Sequence, residues 1–244
     1  MAESERLPSS QRSSSADVDA FLRQVAALPP VRPAGGKRGR LMFVMDATAS
    51  REPTWDRACQ IQGDMFQTTA GLGGLDIQLV YYRGFRECQA SPWVSSSQDL
   101  LRRMTEVRCL AGQTQIGRVL AHCARQTRGE RVNALVFVGD SMEEDIDRLG
   151  QQAGELALLG VPMFIFHERG DPAARRAFEM LARLTRGACC PFDASSARQL
   201  KELLAAVAVF AAGGRPALEH YSRSQGGEAV RLLTRQLGSA GPAP

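Results

Sequence analysis

Short, continuously apolar runs alternate along this chain with longer stretches in which apolar residues return every three or four positions. Runs of the first kind read as buried strands: Leu41 to Met45, Asp76 to Tyr82, Ala134 to Val138, Pro162 to His167 and Ala188 to Phe192. Glu87 to Val94 reads as one more strand, joined to its predecessor by a tight turn at Arg83 and Gly84. Stretches of the second kind read as amphipathic helices. One opens at Pro53, runs from Thr54 to about Thr69 and closes at Gly71, Gly73 and Gly74. The others cover Gln98 to Val107, Gln115 to Gln126, Asp145 to Leu159, Ala173 to Arg186 and Arg198 to Ala211, with Gly160 and Gly187 ending two of them. The order predicts an α/β fold: a doubly wound, mostly parallel six-stranded sheet with one antiparallel edge strand and helices on both faces.

Both flanks differ from this core. Met1 to Ser15 is Ser-rich and reads as disordered, Ala16 to Leu28 as a short helix, and Pro29, Pro30, Pro33, Gly35 and Gly36 as a linker. This divides the 244 residues into an N-terminal segment (1–40), one domain (41–212) and a tail (213–244), in which a further helix is expected between Ala217 and Leu237. Charge follows the same division. The net charge is +4, yet 1–40 carries seven basic against four acidic residues and 213–244 four against two, so the domain is close to neutral. No cluster of cations with interleaved aromatics marks a nucleic-acid face. The six cysteines (Cys59, Cys88, Cys109, Cys123, Cys189, Cys190) include no C-x-x-C pair, which suits a reducing compartment. The longest apolar run, Leu203 to Ala212, is too short to span a bilayer, and no signal-peptide pattern opens the chain. A cytoplasmic protein that binds neither nucleic acid nor membrane is the expectation.

In such sheets ligands bind at the carboxyl ends of the strands, near the point where strand order reverses. Three segments ending at that edge carry only hard oxygen donors. Asp46-Ala47-Thr48-Ala49-Ser50 follows the first strand and places a carboxylate and two hydroxyls at alternate positions. Thr114 lies in the Gly-flanked run Gly112-Gln113-Thr114-Gln115-Ile116-Gly117, and Asp140 follows the strand Ala134 to Val138 in Gly139-Asp140-Ser141. Oxygen-only sets suit Mg²⁺-like cations. The patterns of phosphate chemistry are missing: there is no G-x-x-x-x-G-K-[ST] loop, and no Gly follows Met45 as a dinucleotide fold requires. A phosphatase-like hydrolase of the haloacid dehalogenase type remains the alternative, but it needs a second Asp two positions after Asp46, where this chain has Thr48.

These residues resemble the metal-ion-dependent adhesion site of the von Willebrand factor A family, a Rossmann-like fold, over about Leu41 to Ala212. Residue by residue, Asp46, Thr48 and Ser50 match the D-x-S-x-S loop, Thr114 the distant Thr, and Asp140 the Asp after the fourth strand. Thr48 replaces the usual first Ser, and Asp140 sits in Gly-Asp-Ser where Thr-Asp-Gly is commoner. The resemblance implies a non-enzymatic, bacterial-type stand-alone cytosolic module. It also implies a bound Mg²⁺ or Mn²⁺ and a protein partner whose Asp or Glu completes the coordination. Other polar residues carry simpler expectations. Glu143, Glu144 and Asp145 read as a solvated acidic helix N-terminus, His122 and His167 as structural, and Trp55, Trp93, Tyr81 and Tyr82 as packing residues.

Overall fold

The computed structural model describes residues 38–61, 74–168, 171–192 and 197–225. Their elements run β1 (Gly39–Asp46), a 3₁₀ turn (Ala49–Arg51), α1 (Glu52–Ile61), β2 (Leu75–Arg83), β3 (Glu87–Ala90), α2 (Ser97–Thr105) and α3 (Ile116–Gly129). There follow β4 (Ala134–Gly139), α4 (Ile146–Leu158), β5 (Met163–Glu168), α5 (Pro172–Leu184), β6 (Ala188–Phe192) and α6 (Ala197–Gln225). The six strands form one sheet in the order β3-β2-β1-β4-β5-β6. All neighbours are parallel except β2 and β3, so the hairpin around Gly84 supplies the expected antiparallel edge. β1 is central. The chain first winds outward to β2 and then crosses to β4 on the other side, which puts the reversal of strand order between the ends of β1 and β4.

Strand alternation divides the core into two layers. Leu41, Phe43 and Met45 of β1 pack with Trp55 and Ala58 of α1, Leu100 and Met104 of α2, and Val207 and Phe210 of α6. Met42 and Val44 point the other way, towards Val119 and Leu120 of α3, Leu149 and Leu156 of α4, and Phe178 and Leu181 of α5. Both faces of β1 are therefore buried, which is why its sequence is a run of apolar residues and not an alternation. Each side chain of this kind contributes roughly 1.5–3 kcal/mol by leaving water, so the centre of the sheet is a rigid platform for whatever its ends carry. One helix approaches very closely: a Cβ on Gly39 would lie 2.4 Å from the Ala211 carbonyl oxygen.

One expectation needs correction. The strand read as Glu87 to Val94 pairs continuously only to Ala90, and Val94 returns as an isolated bridge to Ile77. Between them Ser91 breaks the regular ladder by accepting the Leu79 N–H on its Oγ (3.1 Å), and Pro92 has no N–H to donate. The range α6 holds two helical stretches that meet at a kink of non-helical backbone at Gly214 (φ 69°), as expected of a helix ending near Ala211 and a further one opening near Ala217. In the second, Leu218 is buried with Ala217 and Tyr221 beside it. The readings for Met1 to Lys37, for the end of the first long helix and for the tail beyond Gln225 lie outside the described residues.

Candidate metal centre

β1 ends in Asp46, whose side chain is buried at the carboxyl edge of the sheet. The chain then turns sharply. The Thr48 N–H donates to Asp46 Oδ1 (2.8 Å), the Arg51 N–H closes the 3₁₀ turn on the Thr48 carbonyl (2.9 Å), and α1 follows at once. This turn brings the Thr48 and Ser50 hydroxyls within 3.4 Å of each other. β4, hydrogen-bonded to β1, delivers Asp140 alongside, and Ser50 Oγ donates to Asp140 Oδ2 at 3.4 Å. Four of the five expected residues therefore form one cluster across the β1 and β4 ends.

Thr114 arrives by a different route. The loop before α3 is held to β1 by the Leu110 N–H on the Ala47 carbonyl (3.0 Å) and to the hairpin by the Gln113 N–H on the Gly84 carbonyl (3.0 Å). Gly112 is needed here, because a Cβ would meet the Gly84 carbonyl oxygen at 2.1 Å. Thr114 is buried, and its hydroxyl accepts the Glu143 N–H (3.0 Å), while its own N–H donates to Glu143 Oε2 (3.3 Å). Its hydroxyl is thus tied to the loop that carries Asp140.

The acidic run after Asp140 is not simply a solvated helix start. Asp145 does cap α4, accepting the Arg148 N–H. Glu144 instead reaches α3, whose own N-cap residue Gln115 makes no side-chain cap, and accepts the N–H groups of Ile116 and Gly117 (2.9 Å for the latter). It therefore satisfies two of the donors that every helix N-terminus exposes.

The electrostatics single out the two aspartates. Asp46 Oδ2 and Asp140 Oδ1 are buried and meet no well-aligned donor among the described residues, although the Tyr82 phenol stands near enough to Asp46 to favour its ionised form. Leaving a buried polar atom unpaired costs ~1–3 kcal/mol, more for a charge. Burial pushes the Asp46 carboxyl up to about 6, and nearby Asp140 adds to the rise, while the Thr48 N–H opposes it. The phenol of Tyr82, wholly buried, is raised well above its ordinary range by burial and by Asp46. A buried and a half-buried carboxylate, each with one oxygen that no aligned donor meets, flanked by hydroxyls, form a donor set suited to a hard divalent cation. Among the described residues no three His, Cys, Asp or Glu side chains gather as a metal-holding group, here or elsewhere, so the remaining donors of this set are hydroxyls.

Three residues at this corner escaped the sequence reading. Arg51, buried, pairs its Nη1 with Glu168 Oε2, places Nε 3.3 Å from Asp140 Oδ2, and donates from Nη2 to the Ser50 carbonyl (3.1 Å). Glu168 ends β5 and also accepts the Thr54 hydroxyl at 2.6 Å. Glu168 directly follows the predicted strand Pro162 to His167, at the edge where ligands are expected, but nothing in the sequence joins it to Arg51. His167 is buried against Phe178 (5.2 Å between ring centres), and burial lowers its pKa.

No protein-family model and no curated protein matches the sequence. Solved structures do resemble it. The chain is similar to the VWA domain of SpRpn10 (TM-score 0.54, 15% identity), with 69% of this chain and 94% of that one covered. It is similar to proximal thread matrix protein 1 from the mussel byssus, in the structure with a zinc-occupied MIDAS motif (TM-score 0.54, 14% identity, 70% of this chain covered). The pilus adhesin SpaC from Lactobacillus rhamnosus GG also matches (TM-score 0.56, 10% identity, 80% of this chain covered). The chain spans about half of the byssus protein (48%) and under a third of the adhesin (31%). No helix among the described residues is long and apolar enough to cross a membrane. Six strands in this order, one antiparallel edge and helices on both faces agree with these neighbours: the chain has the fold of a von Willebrand factor A domain.

Proposed function

We propose that this chain is a metal-dependent protein-binding module, with Asp46, Thr48, Ser50, Thr114 and Asp140 as the residues that hold one divalent ion, Mg²⁺ or Mn²⁺. The observation that carries this reading is the pair of buried carboxylate oxygens, Asp46 Oδ2 and Asp140 Oδ1, left without well-aligned donors beside the Ser50 and Thr48 hydroxyls. A stable fold retains two such charges only where something offsets them. A bound dication would supply an electrophilic position for one further oxygen, and a partner's Asp or Glu is the ligand that fits it. The zinc in the byssus protein's MIDAS motif lends support by analogy.

Each residue has a role in this reading. Asp46, fixed by the Thr48 N–H, presents its second oxygen from a rigid strand end. Ser50 and Asp140 are set by their mutual contact, and Thr114 by its two contacts with Glu143. No general acid stands two positions after Asp46, so the reading is that of a binding module and not a hydrolase, acting in the cytoplasm.

Affinity capture in Mg²⁺ and in chelator, with wild type and Asp46→Ala, tests it. The expected result is a partner retained only by wild type with metal, whose binding is lost when one of its own Asp or Glu residues becomes Asn or Gln. Equal capture in chelator overturns the metal-dependent mode. Turnover of a generic phosphomonoester that Asp46→Asn abolishes would overturn the non-enzymatic reading.

A further inference from the structure

Arg51 is a cation built into an acidic corner, and it faces two acceptors at once. Its Nη1 is paired with Glu168, whose carboxylate is further fixed by the Thr54 hydroxyl (2.6 Å). Its Nε stands 3.3 Å from Asp140 Oδ2 but makes no aligned hydrogen bond there. The Arg51 side chain is 7% exposed, against 16% for Glu168 and 23% for Asp140, so water screens these contacts only in part. The guanidinium is therefore seated firmly on Glu168 and loosely on Asp140. The Asp140 oxygen it does not approach is the one left without a partner.

We propose that Arg51 is a tethered cation that competes with the divalent ion for Asp140, and that Glu168 with Thr54 is the seat that draws it away. This rests on the metal reading above and adds to it: the Arg51–Glu168 pair sets how tightly the free domain holds metal. A single positive charge beside a ligand carboxylate neutralises part of what the ion would bind and repels the ion itself. Glu168 offsets that effect by holding the guanidinium on the far side. Metal uptake then requires Arg51 to give up its contact with Asp140 and to rest on Glu168 alone. Free domain without metal is protected from two adjacent bare carboxylates, because Arg51 partly neutralises one of them.

The competing role for Arg51 is a clamp that orients Asp140, and the two roles predict opposite signs. Mn²⁺ titration of the full chain, followed by electron paramagnetic resonance of free Mn²⁺, separates them. Arg51→Gln keeps a donor towards the Ser50 carbonyl and removes the charge; Arg51→Met removes both. If Arg51 competes, each binds Mn²⁺ about tenfold tighter than wild type. Glu168→Gln releases the guanidinium onto Asp140 and weakens Mn²⁺ binding by about tenfold, and this loss disappears when Arg51→Gln is also present.

Weaker or unchanged binding by Arg51→Gln, with wild-type circular dichroism and melting temperature, overturns the inference, as does a Glu168→Gln loss that persists without Arg51. Should one Arg51 variant fold poorly, the other and Glu168→Gln still decide the sign. The underlying metal reading fails separately, when wild type and Arg51→Gln take up no more Mn²⁺ than Asp46→Asn.

Discussion

β1 carries one charged side chain near each end, both buried, and the two are treated in opposite ways. Arg40, at the amino end, has what a buried cation needs. Its Nη1 donates to the Glu130 carbonyl (2.8 Å), it pairs with the Glu130 carboxylate (3.1 Å), and its guanidinium lies 3.9 Å above the Trp93 ring centre. Trp93 is itself fixed by donating to Gln126 (3.1 Å). Asp46, at the carboxyl end, has one oxygen satisfied and one not, with a second acidic group beside it. The same strand thus gives its buried cation an ion pair, a carbonyl and a ring face, and leaves its buried anion with one oxygen that no aligned donor meets. In the metal reading proposed above, the partner missing at the carboxyl end comes from outside the chain.

The sharpest way to break the comparison is to remove each charge in turn, in chelator. Arg40→Ala deletes a hydrogen bond, an ion pair and a stacked contact, and should cost about 2–4 kcal/mol in chemical denaturation. Next in size is the response to metal. Mg²⁺ at ~100 times its dissociation constant should stabilise wild type by ~2.7 kcal/mol and leave Asp46→Asn unmoved. A matching gain in Asp46→Asn would place the ion elsewhere. Asp46→Asn itself should be more stable than wild type without metal, by about 1–2 kcal/mol at pH 8. The sign follows from the raised pKa. In the folded chain the carboxyl keeps its proton up to about 6, against an ordinary value of 3.8. Folding is therefore favoured below 3.8, and the advantage is lost as pH rises through 6. The gain of Asp46→Asn should be full above pH 7 and vanish near pH 3.5. A constant gain at every pH would show that charge is not its cause.

What the sequence revealed, and what it withheld, divides along the same line. Strands buried on both faces are unbroken apolar runs, so Leu41 to Met45 and Ala134 to Val138 were legible, and the topology followed from their alternation with helices. The cluster at the carboxyl edge was legible because its members are short polar residues at fixed spacing after strand ends. Arg51, Thr54 and Glu168 were not. Their meaning lies in a meeting between residues more than a hundred positions apart, to which no local spacing corresponds. Glu144 was read as serving its own helix for the same reason: the capping rule is local, and here the cap crosses to α3. The further helix expected from Ala217 is present as far as Gln225, separated from its predecessor by the kink at Gly214, and its apolar residues Leu218, Ala217 and Tyr221 join the core.

Glu144 gives the next, smaller effect. Glu144→Ala removes the acceptor for the Ile116 and Gly117 N–H groups and should cost ~1 kcal/mol, the usual value of a helix N-cap. It should also loosen the loop that carries Thr114, so hydrogen exchange at Ile116 and Gly117 should quicken while Arg40 and its neighbours stay protected. Uniform quickening across the sheet would show global destabilisation instead.

The smallest effect belongs to the satisfied side and runs opposite to that of Asp46. His122, on α3, lies against Gln78 of β2, with Nε2 2.9 Å from Gln78 Oε1. Gln78 uses its Nε2 to donate to the Ser91 carbonyl (2.9 Å), so its oxygen is the acceptor and His122 Nε2 carries the proton. Burial, and then Arg125, lower the His122 pKa below its ordinary 6.5. As pH falls below 6.5 the unfolded chain takes up a proton that the folded imidazole resists, so this group withdraws stability towards acid. Asp46 does the reverse, adding stability over part of the same range. His122→Gln keeps a donor for Gln78 and removes the titration. Compared at pH 7.5 and pH 5.5 in chelator, wild type should lose more stability than His122→Gln, and Asp46→Asn should lose more than wild type. If wild type and His122→Gln fall in parallel, His122 is protonated as readily in the folded chain as in the unfolded one. The contact with Gln78 then does not hold the neutral ring, and the satisfied side of the sheet has a polar group that is less well matched than its geometry indicates.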